Sequence, residues 1–166
     1  TSLINTYVPS PLDTSASVKP VYLILTSTGP CQSRIDSLVI NVLPEPNVNA
    51  SVDQVKCGNN ATVSLNGSIS GITNTGQWST LGSGTFVPTN TLLTGSYVPS
   101  SADTAAGSVN IVLLSTNNGI CIAKTDTMKI TFTKPPLVNA GVNSMSLCVN
   151  NHTISLLGSV SGSSST

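Results

Sequence analysis

The four cysteines of the chain, Cys31, Cys57, Cys121 and Cys148, are the side chains whose type and spacing most readily support chemistry. No Cys-x-x-Cys pair is present, and the sequence contains one histidine. Structural zinc sites use four thiolate or imidazole ligands, usually in closely spaced pairs, so this pattern does not favour zinc. It favours disulfide bonds, which persist in oxidising extracellular compartments.

Acid–base and nucleophilic catalysis have few candidate residues. The histidine, His152, lies in an Asn-Asn-His-Thr turn, where we expect a surface residue and not a ligand or general base. The six acidic residues are scattered. No close carboxylate pair suits glycoside hydrolysis, and no glycine-rich phosphate loop is present. The sequence therefore predicts a protein that is not an enzyme and that uses no cofactor or metal.

Two aspartates recur in the same order along the chain, Asp13 as Asp103 and Asp36 as Asp126. Aspartate side chains accept hydrogen bonds from backbone N–H groups in turns, so the first pair is predicted to cap the turn after Pro-Ser. The second pair is predicted to fix the start of the last strand of a repeat. Calcium binding is the alternative, although no Asp-x-Asp-x-Asp loop is present.

Low charge limits the classes of partner. Charged residues make up 7% of the chain, and the formal net charge is zero, so binding to nucleic acid or to an acidic membrane surface is not expected. No apolar run approaches the ~20 residues of a membrane-spanning helix, so membrane insertion is not expected either. Hydrophobic residues reach 39%, and the polar residues are mostly Ser, Thr, Asn and Gly, which favours an all-β fold.

An internal repeat organises the elements that would position these residues. Tyr7-Val-Pro-Ser recurs as Tyr97-Val-Pro-Ser and Cys31 recurs as Cys121, both at an offset of 90 residues. After one inserted residue, the stretch that begins at Cys57 recurs from Cys148 at an offset of 91. A self-similar period of this size indicates a tandem array of structural units.

The repeat places three segments in the chain. Residues 1–45 are predicted to be the C-terminal half of one repeat, residues 46–136 a complete repeat, and residues 137–166 the N-terminal half of a third. About seven short strands with regular turn signals predict an immunoglobulin-like β-sandwich for each repeat, with Trp78 in its core. Val48 to Val55 and Ala61 to Ser70 are each predicted to form one continuous strand.

Three disulfide pairings are compatible with this organisation. Cys57 and Cys121 are the obvious pair within the complete repeat, but a sandwich places them at opposite poles, too far apart for a bond. Each could instead bond a cysteine of the neighbouring repeat and so staple repeat to repeat, which is the pairing we prefer. The third possibility, Cys31 with Cys57 and Cys121 with Cys148, spans the proline linker and requires a different topology.

The repeat contains recognisable motifs, among them Pro136-Leu-Val-Asn-Ala-Gly, Cys148-Val-Asn-Asn and Gly76-Gln-Trp-Ser. Taken together, these motifs resemble the tandem repeats of very large Bacteroidota surface proteins, including gliding-motility adhesins, and the opening of the repeat resembles repeats of the polycystic-kidney-disease type. The resemblance implies an extracellular, cell-surface location and an extended architecture. It also implies O-glycans at Asp-(Ser/Thr)-apolar sites, which makes Ser37, Thr104 and Thr127 candidates. Solvated hydroxyls without glycans are the alternative.

These observations favour a structural or adhesive repeat protein that forms a rod or filament. Its expected partners are adjacent repeats or copies of itself, arranged head to tail and completed by strand addition, and surface glycans in addition. One alternative is a carbohydrate-binding module, in which an exposed tyrosine such as Tyr22 would stack on a sugar. Another is the stalk of a secreted multidomain enzyme.

Overall fold

The computed structural model describes residues 4–15, 20–150 and 153–162. Strands account for 41% and helix for 4%, so the chain is all-β, as the composition predicts. His152 lies outside the described residues, as does the end of the third predicted segment, residues 163–166. We refer to residues 1–45, 46–136 and 137–166 as the N-terminal, central and C-terminal segments.

The described residues form thirteen strands and one helix. The N-terminal segment contains β1 (Pro20–Thr26) and β2 (Ile35–Asn41). The elements of the central segment are β3 (Asn47–Asn49), β4 (Gln54–Cys57), β5 (Val63–Ser64), β6 (Ser68–Ser70), β7 (Thr75–Thr80), β8 (Thr85–Val87), β9 (Ser96–Val98), α1 (Ser101–Ala106), β10 (Ser108–Thr116) and β11 (Thr125–Thr133). The C-terminal segment contains β12 (Leu137–Asn139) and β13 (Ser159–Ser161).

The central segment is built from two layers of strands. One layer is a four-stranded sheet in the order β4-β11-β10-β7. The other contains the two-stranded sheet β3-β6 and the three-stranded sheet β5-β9-β8. Exposed and more buried side chains alternate along much of β10 and β11, because successive side chains of a strand point to opposite faces. Their buried faces contribute to the core.

Among the described residues, the hydrophobic core lies within the central segment. Its twelve buried side chains run from Ala50 to Phe132 and come from both layers. The largest are Trp78 on β7 and Tyr97 on β9, each with 0% of its surface exposed. Gly67 leaves room for the indole, because a Cβ at residue 67 would lie 2.5 Å from Cζ2 of Trp78. The core is thus closed around a tryptophan and a tyrosine.

The prediction of one strand from Val48 to Val55 is wrong, because this stretch divides between the two layers. β3 pairs antiparallel with β6, whereas β4 pairs parallel with β11. The chain crosses over at Ser51, whose φ of 75° lies in the left-handed region. Asp126 stabilises the crossing by accepting the Ala50 N–H at 2.8 Å. Alternation alone could not show that the ladder partner changes in mid-stretch.

The prediction of one strand from Ala61 to Ser70 is also wrong. β5 pairs with β9, and β6 pairs with β3. Between them, the N–H groups of Leu65 and Gly67 donate to the carbonyls of Gly95 and Leu93 at 2.9 and 3.1 Å. The stretch therefore remains extended, but it changes its partner strand near Gly67.

The C-terminal segment repeats the opening of the central segment in the same register. Val138 pairs with Val160 in the β12–β13 ladder, and Val48 pairs with Ile69 in the β3–β6 ladder. These are equivalent positions of the repeat. The strand pairing that opens the central segment is therefore present again, although most of the C-terminal segment is exposed.

The β1–β2 hairpin shows that the repeat offset is not 90 residues throughout the N-terminal segment. The Ser27 N–H donates to the Arg34 carbonyl at 2.8 Å, as the Ser115 N–H donates to the Lys124 carbonyl at 2.9 Å. Each serine hydroxyl accepts the N–H of the same basic residue in return. Ser27 therefore corresponds to Ser115, an offset of 88, whereas Arg34 keeps the offset of 90. The loop of the first hairpin is two residues shorter, and all of β1 shifts accordingly.

Candidate functional site

A buried carboxylate corner joins α1 to both layers of the central segment. Ser100 caps α1 in a capping box with Asp103. The Oδ2 atom of Asp103 accepts the Tyr97 hydroxyl at 2.7 Å and the Ser100 N–H at 2.9 Å. Its Oδ1 atom accepts the Ser83 N–H at 2.9 Å. The predicted capping role of this aspartate is confirmed.

The corner shifts the pKa values of both its acidic groups. Burial first, and then the hydrogen bond to Asp103, raise the pKa of the Tyr97 hydroxyl from 10.0 to about 12. Burial alone would raise the pKa of Asp103, but the donors from Ser100, Ser83 and Tyr97 outweigh it and hold the pKa below 3.8. The pair is therefore an ionised carboxylate bound to a neutral phenol, which suits anchoring and not proton transfer near neutral pH.

The N-terminal segment forms the same corner without a core around it. The Tyr7 hydroxyl donates to Asp13 at 2.7 Å, and the Ser10 N–H donates to the same oxygen at 2.8 Å. Hydrogen bonds from Ser10 and Tyr7 lower the pKa of Asp13, and the bond to Asp13 raises the pKa of Tyr7. Here all the residues are exposed or half-buried. The motif is encoded locally and forms here without the packing that buries it in the central segment.

The cysteines of the central segment mark its two ends. Cys57 is paired with Thr133, the last residue of β11, and Cys121 precedes Thr125, the first residue of β11. Nine strand residues extend about 27–30 Å, whereas the Cα atoms of a disulfide lie ~4.4–6.8 Å apart. A Cys57–Cys121 bond within one central segment is therefore incompatible with the fold.

Each of these cysteines lies against a linker between segments. The thiol of Cys121 lies 3.9 Å from the carbonyl oxygen of Pro44. At the other end, the N–H of Gly58, next to Cys57, donates to the Thr133 carbonyl at 2.9 Å. In the third pairing, Cys31 would bond to Cys57 and Cys148 to Cys121. Cys31 precedes the first linker, which lies at the Cys121 end of the central segment and is distant from Cys57. Cys148 follows the second linker, which lies at the Cys57 end and is distant from Cys121. All four cysteines lie in the described part of the chain and are free thiols.

The three candidate O-glycosylation residues differ in accessibility. Ser37 on β2 and Thr127 on β11 are exposed and occupy equivalent positions of the repeat. Thr104 is half-buried on α1, and its hydroxyl lies within hydrogen-bonding distance of the Ser100 and Ser101 carbonyls. Ser37 and Thr127 are therefore the more accessible of the three hydroxyl groups.

An exposed aromatic side chain lies outside the core at Tyr22. It is 61% exposed on β1. Of the other aromatic residues, Trp78 and Tyr97 are buried completely, and Phe86 packs on Tyr97 with ring centroids 5.2 Å apart. Tyr22 and the 38% exposed Tyr7 are therefore the aromatic side chains of the described residues that a sugar could reach most readily.

Residues 4–15, 20–150 and 153–162 contain neither a metal-ligand cluster nor a membrane-spanning helix. Within these ranges, no group of three or more His, Cys, Asp or Glu side chains could hold a metal ion. No helix in the described part of the chain has the length and apolar character to span a bilayer. No protein-family model matches the chain, and no match is found among curated proteins or among solved structures.

Sequence reasoning did not identify the partners of the recurring aspartates. Asp103 reaches Ser83 in the loop after β7, and Asp126 reaches Ala50 at the crossover between the layers. The second contact ties the start of β11 to the opposite layer, which agrees with the role predicted for Asp126. The recurrence of both aspartates in the sequence indicated that they have a structural role. The partner of each could not be predicted, because it depends on tertiary structure.

Proposed function

We propose that this protein is a non-enzymatic, extracellular structural or adhesive repeat protein that forms an extended rod or filament on the cell surface. One observation carries the proposal. A closed two-layer unit is flanked by partial units that repeat its local structure, as in the matching registers of β12–β13 and β3–β6. Repetition along the chain extends a molecule without creating a catalytic site.

The strand order supports an immunoglobulin-like sandwich for each repeat. In such folds, the opening stretch contributes to both sheets, and the last strand lies beside it in one of them. β3 and β4 divide between the two layers in this way, and β4 lies parallel to β11. Trp78 lies on β7, which would correspond to the third strand of an immunoglobulin-like sandwich, where a buried tryptophan is expected.

The positions of the linkers suit a module that carries tension. The chain enters near the start of β11, where Cys121 contacts Pro44, and leaves after Thr133 at its end. Tension applied at the two linkers therefore shears the parallel β4–β11 ladder, which loads several hydrogen bonds together. Prolines in both linkers limit bending.

The surface chemistry fits a location outside the cell. Charged side chains are few, so solubility depends on Ser, Thr and Asn hydroxyl and amide groups, to which O-glycans at Ser37 and Thr127 would add. Thiols outside the cell can form disulfides between repeats.

Electron microscopy of the native cell-surface material tests the proposal. We expect unbranched rods with an axial repeat set by one or two modules. Strand β11 extends about 30 Å and a three-residue linker adds up to ~10 Å, which gives roughly 40 Å per module. Compact particles without an axial repeat would contradict the proposed function.

A further inference from the structure

The structure assigns a site of spontaneous covalent modification to Asn118, in the loop between β10 and β11. The backbone nitrogen of Gly119 attacks the side-chain amide of Asn118, which is lost as ammonia and leaves an aspartyl or isoaspartyl residue. The change loosens this loop and its contacts with the linker between the N-terminal and central segments. The inference does not depend on the proposed repeat function.

The chain contains two Asn-Gly sequences, Asn66-Gly67 and Asn118-Gly119. A glycine after the asparagine favours the reaction, because no Cβ atom hinders the approach of its nitrogen to the side-chain carbonyl carbon. The shorter loop of the β1–β2 hairpin has Thr28-Gly29 at the position equivalent to the second sequence. The two Asn-Gly sequences lie in different environments, so the same chain supplies a candidate site and an internal comparison.

Asn118 begins a tight turn in an exposed loop. The Cys121 N–H donates to the Asn118 carbonyl at 3.0 Å, which makes Gly119 the first central residue of the turn. Gly119 is exposed, and no atom lies within 4 Å of the position that a Cβ would occupy. Within the described residues, its N–H is not bonded to an acceptor. The attacking nitrogen is therefore accessible to the base that removes its proton.

Asn66 lies in an extended stretch whose backbone is bonded to a neighbouring segment. The Gly67 N–H donates to the Leu93 carbonyl at 3.1 Å, and Gly67 is buried. Trp78 and Leu113 lie 2.5 and 2.8 Å from the position of a Cβ at residue 67. Attack by this nitrogen requires the hydrogen bond to break and the core to open locally. The fold therefore protects Asn66 and leaves Asn118 open to the reaction.

The bond changes balance with water as the co-reactant. The deprotonated nitrogen of Gly119 forms a bond to Cγ of Asn118, and the bond from Cγ to Nδ2 breaks. The nitrogen group takes a proton from solvent and leaves as ammonia, so that a five-membered succinimide ring remains. Water then adds to one of the two ring carbonyl carbons, the bond from that carbon to the ring nitrogen breaks, and the nitrogen regains its proton. Addition at Cγ gives aspartate, and addition at the main-chain carbon gives isoaspartate.

The intact amide of Asn118 supports the end of the hairpin. Its Nδ2 atom donates to the Ser115 carbonyl at 3.1 Å. Its Oδ1 atom is buried and accepts no hydrogen bond within the described part of the chain. A carboxylate has no proton to donate to the Ser115 carbonyl, and a buried charge without a donor is costly. After the reaction, the loop must move to bring the new charge into water.

The same loop contacts the linker that precedes the central segment. The thiol of Cys121 lies 3.9 Å from the carbonyl oxygen of Pro44, and Nζ of Lys124 lies 3.1 Å from Oε2 of Glu45. Cys121 closes the turn that Asn118 begins, so a movement of Asn118 displaces the thiol. The modification therefore weakens the junction between the N-terminal and central segments.

Mass spectrometry of the aged full-length chain tests the site. The reduced chain is incubated at pH 7 and at pH 9, digested in acid and fragmented by electron transfer, which distinguishes aspartate from isoaspartate. We expect both acids to accumulate at residue 118, and faster at pH 9, because the deprotonated nitrogen is the nucleophile. Reaction at Asn66 should be at least about tenfold slower, since a local opening free energy of about 1.4 kcal/mol gives this ratio.

Incubation of the chain in urea separates the effect of the fold from the effect of the sequence. In the unfolded chain, Asn66 and Asn118 should react at similar rates, because each precedes a glycine. Equal rates at the two residues in the folded chain, or faster reaction at Asn66, would overturn the assignment. An Asn118 that stays intact in the folded chain and reacts in urea would overturn it as well.

A matched pair of variants tests the effect on the linker. In a chain that keeps Cys121 and has the other three cysteines changed to serine, Asn118→Asp introduces one product directly. Asn117→Asp adds the same charge at the neighbouring exposed residue and also removes one side-chain hydrogen bond, from Asn117 to Thr75 at 3.0 Å. Alkylation of Cys121 by iodoacetamide, which is uncharged, should be several-fold faster in Asn118→Asp than in Asn117→Asp.

Folding of both variants is checked by the fluorescence of Trp78, the only tryptophan of the chain. The aged chain provides the same comparison without a substitution at residue 118, because anion exchange separates the reacted form from the intact form by its added charge. Its reacted form should also show faster alkylation of Cys121. Equal alkylation rates in the two folded variants, or in the reacted and intact forms, would overturn the proposed effect on the linker.

Discussion

At the scale of single residues, the Tyr97–Asp103 corner shows how one motif acts differently in two environments. In the central segment, the carboxylate also accepts the Ser83 N–H, and the phenol accepts the Gly84 N–H at 3.1 Å. In the N-terminal segment, Tyr7 and Asp13 repeat the local bonds in an exposed setting. The difference between the two corners is burial, and so is the expected difference in their contribution to stability.

Tyr97→Phe should destabilise the central segment by about 1.5–3 kcal/mol, because it removes a hydrogen bond to a buried carboxylate. Tyr7→Phe removes the equivalent bond at an exposed site and should leave the central segment unchanged. Urea unfolding followed by Trp78 fluorescence measures both. Equal effects of the two substitutions would show that burial of the corner is not what makes it stabilising.

Acid should weaken the central segment through Asp103. Its pKa is held below 3.8 in the folded state, so its stabilisation is fully present above the unfolded value and is lost as the pH falls through the folded value. Asp103→Asn should lower stability at neutral pH and flatten the decline below pH 3.8. Unfolding free energies measured from pH 7 to pH 2 test this expectation, with Asp13→Asn as the exposed control. An unchanged acid profile in Asp103→Asn would contradict the assignment.

At the scale of elements, the sequence predicted strands better than it predicted their partners. The short strands that the turn signals predicted are present, because such patterns are local, as the alternation of exposed and buried side chains along Ser108–Thr116 and Thr125–Thr133 shows. The crossover at Ser51 and the partner change near Gly67 were missed, because both depend on which strand lies alongside.

The contacts of the candidate site also fall into local ones, which the sequence predicted, and long-range ones, which it did not. Recurrence identified Asp103 and Asp126 as important and predicted the cap at Ser100, which is a local contact. The contacts with Ser83 and Ala50 join distant parts of the chain. Such contacts leave no periodic signal in one sequence. The two-residue shift of β1 was missed as well, and the hairpin register shows it directly, with an offset of 88 for β1 and of 90 for β2.

Gly67→Ala should disrupt the packing of β5 and β6 on β7. The added methyl group would lie 2.5 Å from Trp78 and 2.8 Å from Leu113, and overpacking of this kind costs about 1–3 kcal/mol. Gly29→Ala is the control, because no atom lies within 4 Å of its added Cβ. Thermal unfolding and the Trp78 emission maximum provide the measurement. A neutral Gly67→Ala would mean that the core around the indole is not close-packed.

At the scale of the whole molecule, a unit with a closed core lies between two segments that expose large apolar side chains. Ile24, Leu38, Leu156 and Val160 of the flanking segments are at least 60% exposed, whereas the central segment buries a core of twelve hydrophobic residues. In the proposed array, neighbouring repeats with the same two-layer packing would cover these side chains, and each added repeat would lengthen the molecule by one module.

Small-angle X-ray scattering of the purified chain tests the proposed extended arrangement of repeats most directly. Residues 1–166 cover roughly two periods of the repeat, so at roughly 40 Å per module the maximum dimension should be about 80 Å, with the cross-section of a single module. A radius of gyration near the ~15 Å of a compact domain of this length would contradict an extended array.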